Sequence, residues 1–176
     1  VVQQVEHNAF QAEGVGVGPI SLDLRRGEVL FVVGGNGSGK TTLMKLLTGL
    51  YAPLEGQILL DDRPVDSTKQ AYREMFATVF SDFHLFQKLY GIAAQQLHLA
   101  DELLAKLQLS HKTRLVGSQF LTTRLSAGQR RRLAYAVARL CDRQIYVLDE
   151  LTADQDPIFR EYFYRELLPE LRGQGK

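Results

Sequence analysis

The chain has 176 residues, 45% hydrophobic and 23% charged, which is length and apolar content enough for one domain with its own core. Lys and Arg number 21 against 20 Asp and Glu, and a net charge of +1 gives no electrostatic reason to bind nucleic acid or an acidic lipid surface. A lone Cys141 excludes an internal disulfide, no run approaches the ~20 apolar residues of a membrane span, and Val1-Val2-Gln3-Gln4 lacks the start of a signal peptide.

Residues 1–33 read as two or three strands with a loop at Glu13-Gly14-Val15-Gly16-Val17-Gly18-Pro19. Ile20, Leu22 and Leu24 alternate with Ser21, Asp23 and Arg25, which suits a half-buried antiparallel strand ending at Arg26-Gly27. Val29-Leu30-Phe31-Val32-Val33 is instead continuously apolar and reads as a buried strand, so two kinds of sheet are expected. Phe10, the one aromatic ahead of the loop, either stacks on a nucleotide base or packs as a core aromatic at a strand end.

Gly34-Gly35-Asn36-Gly37-Ser38-Gly39-Lys40-Thr41-Thr42 follows, and the rest of the chain is organised around it. Leu43, Met44, Leu46, Leu47 and Leu50 then recur at helical spacing, and Gly49 ends the helix. Strand, glycine-rich turn, Lys-Thr and helix is the context in which this spacing binds phosphate. The glycines let the backbone form a concave nest of N–H groups, and the helix N-terminus adds partial positive charge. Lys40 is placed to reach the β- and γ-phosphates of a nucleotide, and the Thr41 hydroxyl to take a Mg²⁺ position. A chance glycine turn before a helix is the bland alternative, but four matched positions and both flanking elements make it rare.

Tyr51 to Gly56 is a turn, 57–60 a strand, and Asp61-Asp62-Arg63-Pro64 a second turn rather than a metal site. A short helix over 68–75 and a buried strand over 77–80 lead to Ser81-Asp82-Phe83-His84, at the strand end where open α/β sheets hold ligands. His84 alone is more often a packed loop residue than a ligand. Residues 92–109 carry helical spacing, and 110–124 are polar and irregular. Ser126 and Gln129 are spaced as a capping box for a helix whose apolar face is Leu133, Ala136, Val137 and Leu140. Simple helix initiation accounts for both, yet Gly128 in the first turn costs about 1 kcal/mol against Ala. Arg130, Arg131 and Arg132 also crowd the end of a helix that prefers negative charge, which makes sense if an anion docks there.

Residues 144–148 form a third apolar strand and deliver Asp149-Glu150. Two carboxylates at a buried strand's end are costly without a cation or a reaction. With the phosphate loop present, Asp149 is the expected Mg²⁺ holder, and Glu150 the general base for the water that attacks the γ-phosphate. Asp156-Pro157 starts a last helix with Asp as N-cap and Pro at its first position. Phe159, Phe163, Leu167 and Leu171 step along one face, and Gly173 is the expected stop. A helix after a parallel strand normally leads into another strand, so the sequence is read as cut short, a part of a longer gene.

With these motifs in hand the chain resembles the nucleotide-binding domain of ABC transporters over nearly its whole length. Residues 34–41 are similar to Walker A, Leu125-Ser126-Ala127-Gly128-Gln129 to the LSGGQ signature, and 145–150 to Walker B with the catalytic glutamate. The signature separates this family from kinases and G proteins, which share Walker A but lack the signature. The resemblance implies an α/β P-loop NTPase fold with a mostly parallel core sheet, an N-terminal antiparallel β subdomain and a small helical subdomain, the C-terminal strands being absent. Within 1–176 it implies a catalytic core of 1–80 with 140–176, and a helical signature subdomain of 81–139. It also implies ATP and Mg²⁺ as ligands. Gly35, Asn36, Gly37, Ser38, Gly39, Lys40, Thr41 and Thr42 hold ATP, and Thr41 and Asp149 hold the metal. Ser126, Ala127, Gly128 and Gln129 touch the ATP of a second copy in a head-to-tail homodimer.

Residues 79–86, Leu121-Thr122-Thr123 and Ala153-Asp154-Gln155-Asp156-Pro157 further resemble a bacterial branch that exports cyclic peptides and peptide siderophores, such as the pyoverdine, syringomycin and microcin exporters. That likeness implies a membrane-spanning domain ahead of this one, a place on the cytoplasmic face of the inner membrane, and no nucleic-acid partner. Two departures stand out. Ser81 occupies the place of the family's Gln that meets Mg²⁺ and water, leaving Asp82 as a candidate for metal contact. The family's switch histidine falls beyond Lys176, since His7, His84, His98 and His111 all precede Walker B. The alternative readings are a non-transport ABC-type ATPase of DNA repair or translation, and a regulatory nucleotide-binding module without turnover.

Overall fold

The computed structural model describes residues 3–6, 10–12 and 15–176, with side chains from Val17 onward. The chain divides into two units, Val1–Phe76 with Pro169–Lys176, and Ala77–Leu168.

In the first unit, β1 (Gln3–Glu6), β4 (Asp23–Leu24), β5 (Gln57–Leu60) and β6 (Arg63–Val65) form an antiparallel sheet in the order β4-β1-β5-β6. The burial alternation over 20–25 is kept, with Ile20, Leu22 and Leu24 half-buried and Ser21, Asp23 and Arg25 exposed, but the expected strand is reduced to Asp23–Leu24. Asp61 and Asp62, at φ 51° and 61°, make the two-residue turn between β5 and β6, a conformation short Asp side chains tolerate. The paired aspartates are turn chemistry, as expected. The loop expected over 13–19 is shorter than that, because β3 (Val15–Val17) pairs with β2 (Phe10–Ala12). Alternating glycines hid two β-branched valines at the spacing of one strand face.

Residues 29–33 depart further from expectation. No strand forms there among the described residues, and Leu30, Phe31 and Val33 are exposed. Apolar content favours burial, but a strand also needs a neighbour presenting backbone N–H and C=O groups.

Helix α1 (Lys40–Leu47) buries Leu46 and Leu47. It ends at Gly49, φ 72°, with Gly49 N–H donating to the Leu46 carbonyl and Leu50 N–H to the Lys45 carbonyl. A Cβ on Gly49 would lie 2.1 Å from the Ser67 carbonyl oxygen. Gly49→Val should therefore lose roughly 3 kcal/mol or more of stability, read as a lower denaturation midpoint. Beside this corner, α2 (Gln70–Arg73) buries Tyr72, whose hydroxyl donates to the Leu47 carbonyl at 2.6 Å.

In the second unit β7 (Phe76–Val79, which begins one residue earlier) pairs with β10 (Ile145–Leu148) across a long helical crossover. The crossover holds α3 (Ala94–Leu97), α4 (Ala100–Lys106), the hairpin β8 (Leu115–Val116) with β9 (Gln119–Phe120), and α5 (Ala127–Cys141). Leu104, Leu107, Leu109, Phe120, Leu133 and Tyr135 are almost wholly buried in one core.

Asp156 caps α6 (Pro157–Tyr162), accepting from Phe159 N–H at 2.9 Å. That hydrogen bond, with Arg132 beside it, holds the carboxyl below the usual carboxylate range. The cap thus stabilises the fold at neutral pH and is lost as pH falls through the lowered value. After α6 comes a π-helical turn, Phe163–Leu167, then α7 (Leu168–Gly173). At 3.6 residues per turn each four-residue step drifts by about 40°. The wider π turn takes back part of that drift, and Phe159, Phe163, Leu167 and Leu171 all stay buried. The stop is Gly175, φ 71°, rather than the expected Gly173. Gly175 N–H donates to the Arg172 carbonyl and Lys176 N–H to the Leu171 carbonyl.

Candidate functional site

The glycine loop belongs to the first unit, where its residues 34–38 are exposed. Gly37 and Gly39 lie at φ 77° and 87°, where side chains are disfavoured, and Gly39 is the N-cap of α1. A Cβ would also crowd a neighbouring side chain at two positions: at Gly34 it would sit 2.6 Å from Ser38 Oγ, and at Gly39 2.6 Å from a Val17 methyl. No side chain caps α1, and no acid lies in its first turn. The first-turn N–H groups and the helix dipole together form an anion site. Lys40 Nζ donates to the Gly34 and Gly35 carbonyls, both at 2.8 Å. The ammonium is thereby held over the loop, with Thr41 and Thr42 opening the helix behind it. This cradle fits a phosphate chain in both shape and charge.

The acidic pair belongs to the second unit. Asp149 follows β10, is 2% exposed, and donates its N–H to the Val79 carbonyl at 2.8 Å. Its Oδ2 accepts from Ser81 N–H at 3.4 Å. The Ser81 backbone thus meets the carboxylate. Asp82 and His84 are exposed on the same loop, and His84 packs edge-on against Phe86 at 4.8 Å. Glu150 is exposed at φ 51°. Among the described residues no three His, Cys, Asp or Glu cluster as a metal cage. Mg²⁺ characteristically uses one or two carboxylates plus substrate phosphates, and the buried Asp149 carboxylate suits that habit.

Ser126 caps α5 in a complete capping box, accepting from Gln129 N–H at 3.3 Å while Gln129 Oε1 accepts from Ser126 N–H at 3.2 Å. Ser126 and Ala127 are exposed; Gly128 is buried. A Cβ on Gly128 would come 2.6 Å from the Asp154 carbonyl oxygen. The glycine therefore has a packing reason as well as the anion reason read from sequence. The arginines also have partners inside the unit. Arg131 donates to the Glu150 carbonyl at 3.2 Å and lies 3.5 Å from Asp154. Arg132 reaches Gln155 at 2.7 Å and Asp156 at 2.8 Å, and stacks 3.6 Å from the Phe159 ring centre. Two of the three cations crowding the helix start thus hold the loop after β10.

Gln155 is the residue that sequence reasoning passed over. It is buried, and its Nε2 donates to the Gly128 carbonyl at 2.9 Å. A glutamine in a polar loop carries no sequence signal of burial; the nearest hint was the costly glycine it packs on. The backbone of Phe10 lies in β2 opposite Val17, and its side chain lies outside the described residues.

The family model described as "ABC transporter" matches residues 17–153. The chain is 48% identical over 170 residues to "ATP-binding protein SyrD" of Pseudomonas syringae pv. syringae, covering 94% of this chain and 30% of that protein. It is 34% identical over 164 residues to "Beta-(1-->2)glucan export ATP-binding/permease protein NdvA" of Brucella abortus, covering 84% of this chain and 27% of the relative. The chain thus spans less than a third of the length of these two relatives. A solved "ATP binding subunit of ABC transporter" superposes with a TM-score of 0.80 at 22% identity, over 99% of this chain and 76% of that one, and supports the fold. With the family model matched over most of its length, the chain belongs to the ABC transporter family, as an ATP-binding domain of the kind that hydrolyses ATP.

Proposed function

We propose that this domain hydrolyses ATP to drive export of a cyclic peptide or peptide siderophore, working on the cytoplasmic face of a bacterial inner membrane as a head-to-tail homodimer. The observation that carries the reading is the cradle at 34–42, with its two left-handed glycines, its uncapped helix and Lys40 drawn over it. In that scheme Lys40 and the first-turn N–H groups of α1 bind and orient the triphosphate. Thr41 and Asp149 hold Mg²⁺, which when bound neutralises charge on the phosphate oxygens. Glu150 accepts the proton of the attacking water. Ser126, Ala127, Gly128 and Gln129 of one copy face the nucleotide on the other. The functional division into 1–80 with 140–176, and 81–139, belongs to the same proposal.

Support for a membrane-spanning partner is of two kinds. One relative is by name an export ATP-binding/permease protein, of which this chain matches 27%. A small sheet in the second unit also keeps exposed a face on which apolar side chains surround Lys88 and Gln119. Leu89 N–H donates to the Ser118 carbonyl and Phe120 N–H to the Gln87 carbonyl, pairing the segment around Lys88 with β9. Leu85, Leu89 and Phe120 face the core, while Phe86, Tyr90, Val116 and Leu121 on the other side are 64, 72, 55 and 54% exposed. Exposed apolar groups gathered in this way mark a surface that another element covers. The cargo class rests on the resemblance of residues 79–86 and 153–157 to the peptide-exporting branch.

Inverted membrane vesicles carrying the full-length protein test the reading. ATP should drive uptake of a labelled cyclic peptide, and Glu150→Gln should abolish it. ATP hydrolysis by a full-length protein that stays out of the membrane fraction would favour the non-transport alternative.

A further inference from the structure

Glu150 and Asp154 are two of the six non-glycine residues at positive φ among the described residues, at 51° and 59°. They bracket the short loop that leaves β10, and Arg131 on the second turn of α5 touches both. Its Nη1 donates to the Glu150 carbonyl at 3.2 Å, and its Nε lies 3.5 Å from Asp154 Oδ2. The Glu150 carbonyl also accepts from Ala153 N–H at 2.9 Å, which closes the loop as a turn. The Arg131 side chain is only 13% exposed, so its guanidinium is held against the protein, while the Asp154 side chain stays 57% exposed. A planar guanidinium with donors on separate edges is suited to such a double grip; a lysine ammonium reaches one group at a time.

The other end of the loop is fixed from the same helix. Gln155 donates to the Gly128 carbonyl and accepts from Arg132 Nε. Backbone at positive φ costs energy outside glycine and persists where the surroundings hold it. Here the surroundings are the first two turns of α5.

We propose that Arg131 is a positioning residue for Glu150, tying the backbone of that carboxylate to the helix that begins at Ser126, so that a shift of the helix start is carried to the carboxylate. The inference rests on the role given to Glu150 above. Glu150 has its positive φ because the loop is pulled toward α5 at both ends. Its carboxylate points where it does only while that pull persists.

The test is steady-state MgATP hydrolysis by the full-length protein, with kcat and KM measured separately and thermal midpoints recorded. Arg131→Ala should lower kcat roughly ten- to a hundredfold, the range that a misplacement near 1 Å produces, with KM within about twofold. The thermal midpoint should stay within a few degrees of the parent's, because the residue lies outside the core. Arg131→Lys should recover part of the missing kcat through one of the two interactions, and Asp154→Ala should lose less than Arg131→Ala because the hydrogen bond to the carbonyl remains. An Arg131→Ala protein with parental kcat, beside an inactive Glu150→Gln, would overturn this inference and leave the reading of Glu150 standing. An equal rise in KM with a collapsed midpoint in Arg131→Ala would also overturn it, showing a purely structural role. A Glu150→Gln protein as active as the parent would instead overturn the role of Glu150 and this inference with it.

Discussion

Lys40→Ala is expected to bind ATP at least about a hundredfold more weakly than the parent. Lys40 carries the one full positive charge in the 34–42 loop, and its ammonium is held 2.8 Å from each of two loop carbonyls. Removing it deletes the charge proposed to meet the β- and γ-phosphates and frees the loop it braces. A charge-assisted hydrogen bond contributes about 1.5–3 kcal/mol, and a tenfold change in affinity corresponds to about 1.4 kcal/mol. Deleting two such hydrogen bonds to phosphate at once therefore weakens binding by more than two powers of ten. Titration with a fluorescent ATP analogue checks this, with circular dichroism to show that the fold is kept. A variant that bound like the parent would place the nucleotide elsewhere.

Glu150→Gln should retain ATP binding and lose hydrolysis by roughly 10²–10⁴-fold, the range general-base catalysis contributes. The substitution keeps the size and hydrogen-bonding reach of the side chain but removes its capacity to take a proton from water. Glu150 is exposed, next to a buried Asp149 whose Oδ2 already accepts from the Ser81 N–H, so the two carboxylates sit in different environments. Phosphate release under saturating MgATP is the measurement. Unchanged turnover would mean that another group activates the water.

Much of this was legible in the residues because the motifs carry their own local physics. Gly37 and Gly39 declare positive φ, Ser126 and Gln129 declare a capping box, and Asp156-Pro157 declares a helix start; all three are found. The failures share another cause, which is that tertiary partners are not written locally. Residues 29–33 read as a strand from apolar content alone, yet strand formation depends on a neighbour. Val15 and Val17 were hidden among glycines until β2 supplied one. Gly173 was the expected stop, but the carbonyls of Leu171 and Arg172 accept from Lys176 and Gly175 N–H, which puts the left-handed residue at Gly175. The arginines show the same limit. Three cations at a helix start look like an anion site, and only the fold reveals that Arg131 and Arg132 grip the loop of Glu150 and Asp156.

The most direct measurement of the central claim is a structure of the full-length Glu150→Gln protein solved with ATP and Mg²⁺. The account predicts a triphosphate lying on the backbone of residues 34–42 of one copy, with the Ser126 end of α5 from a second copy against its other side. Density for the nucleotide anywhere else, or a loop at 34–42 left empty at saturating ATP, would contradict it.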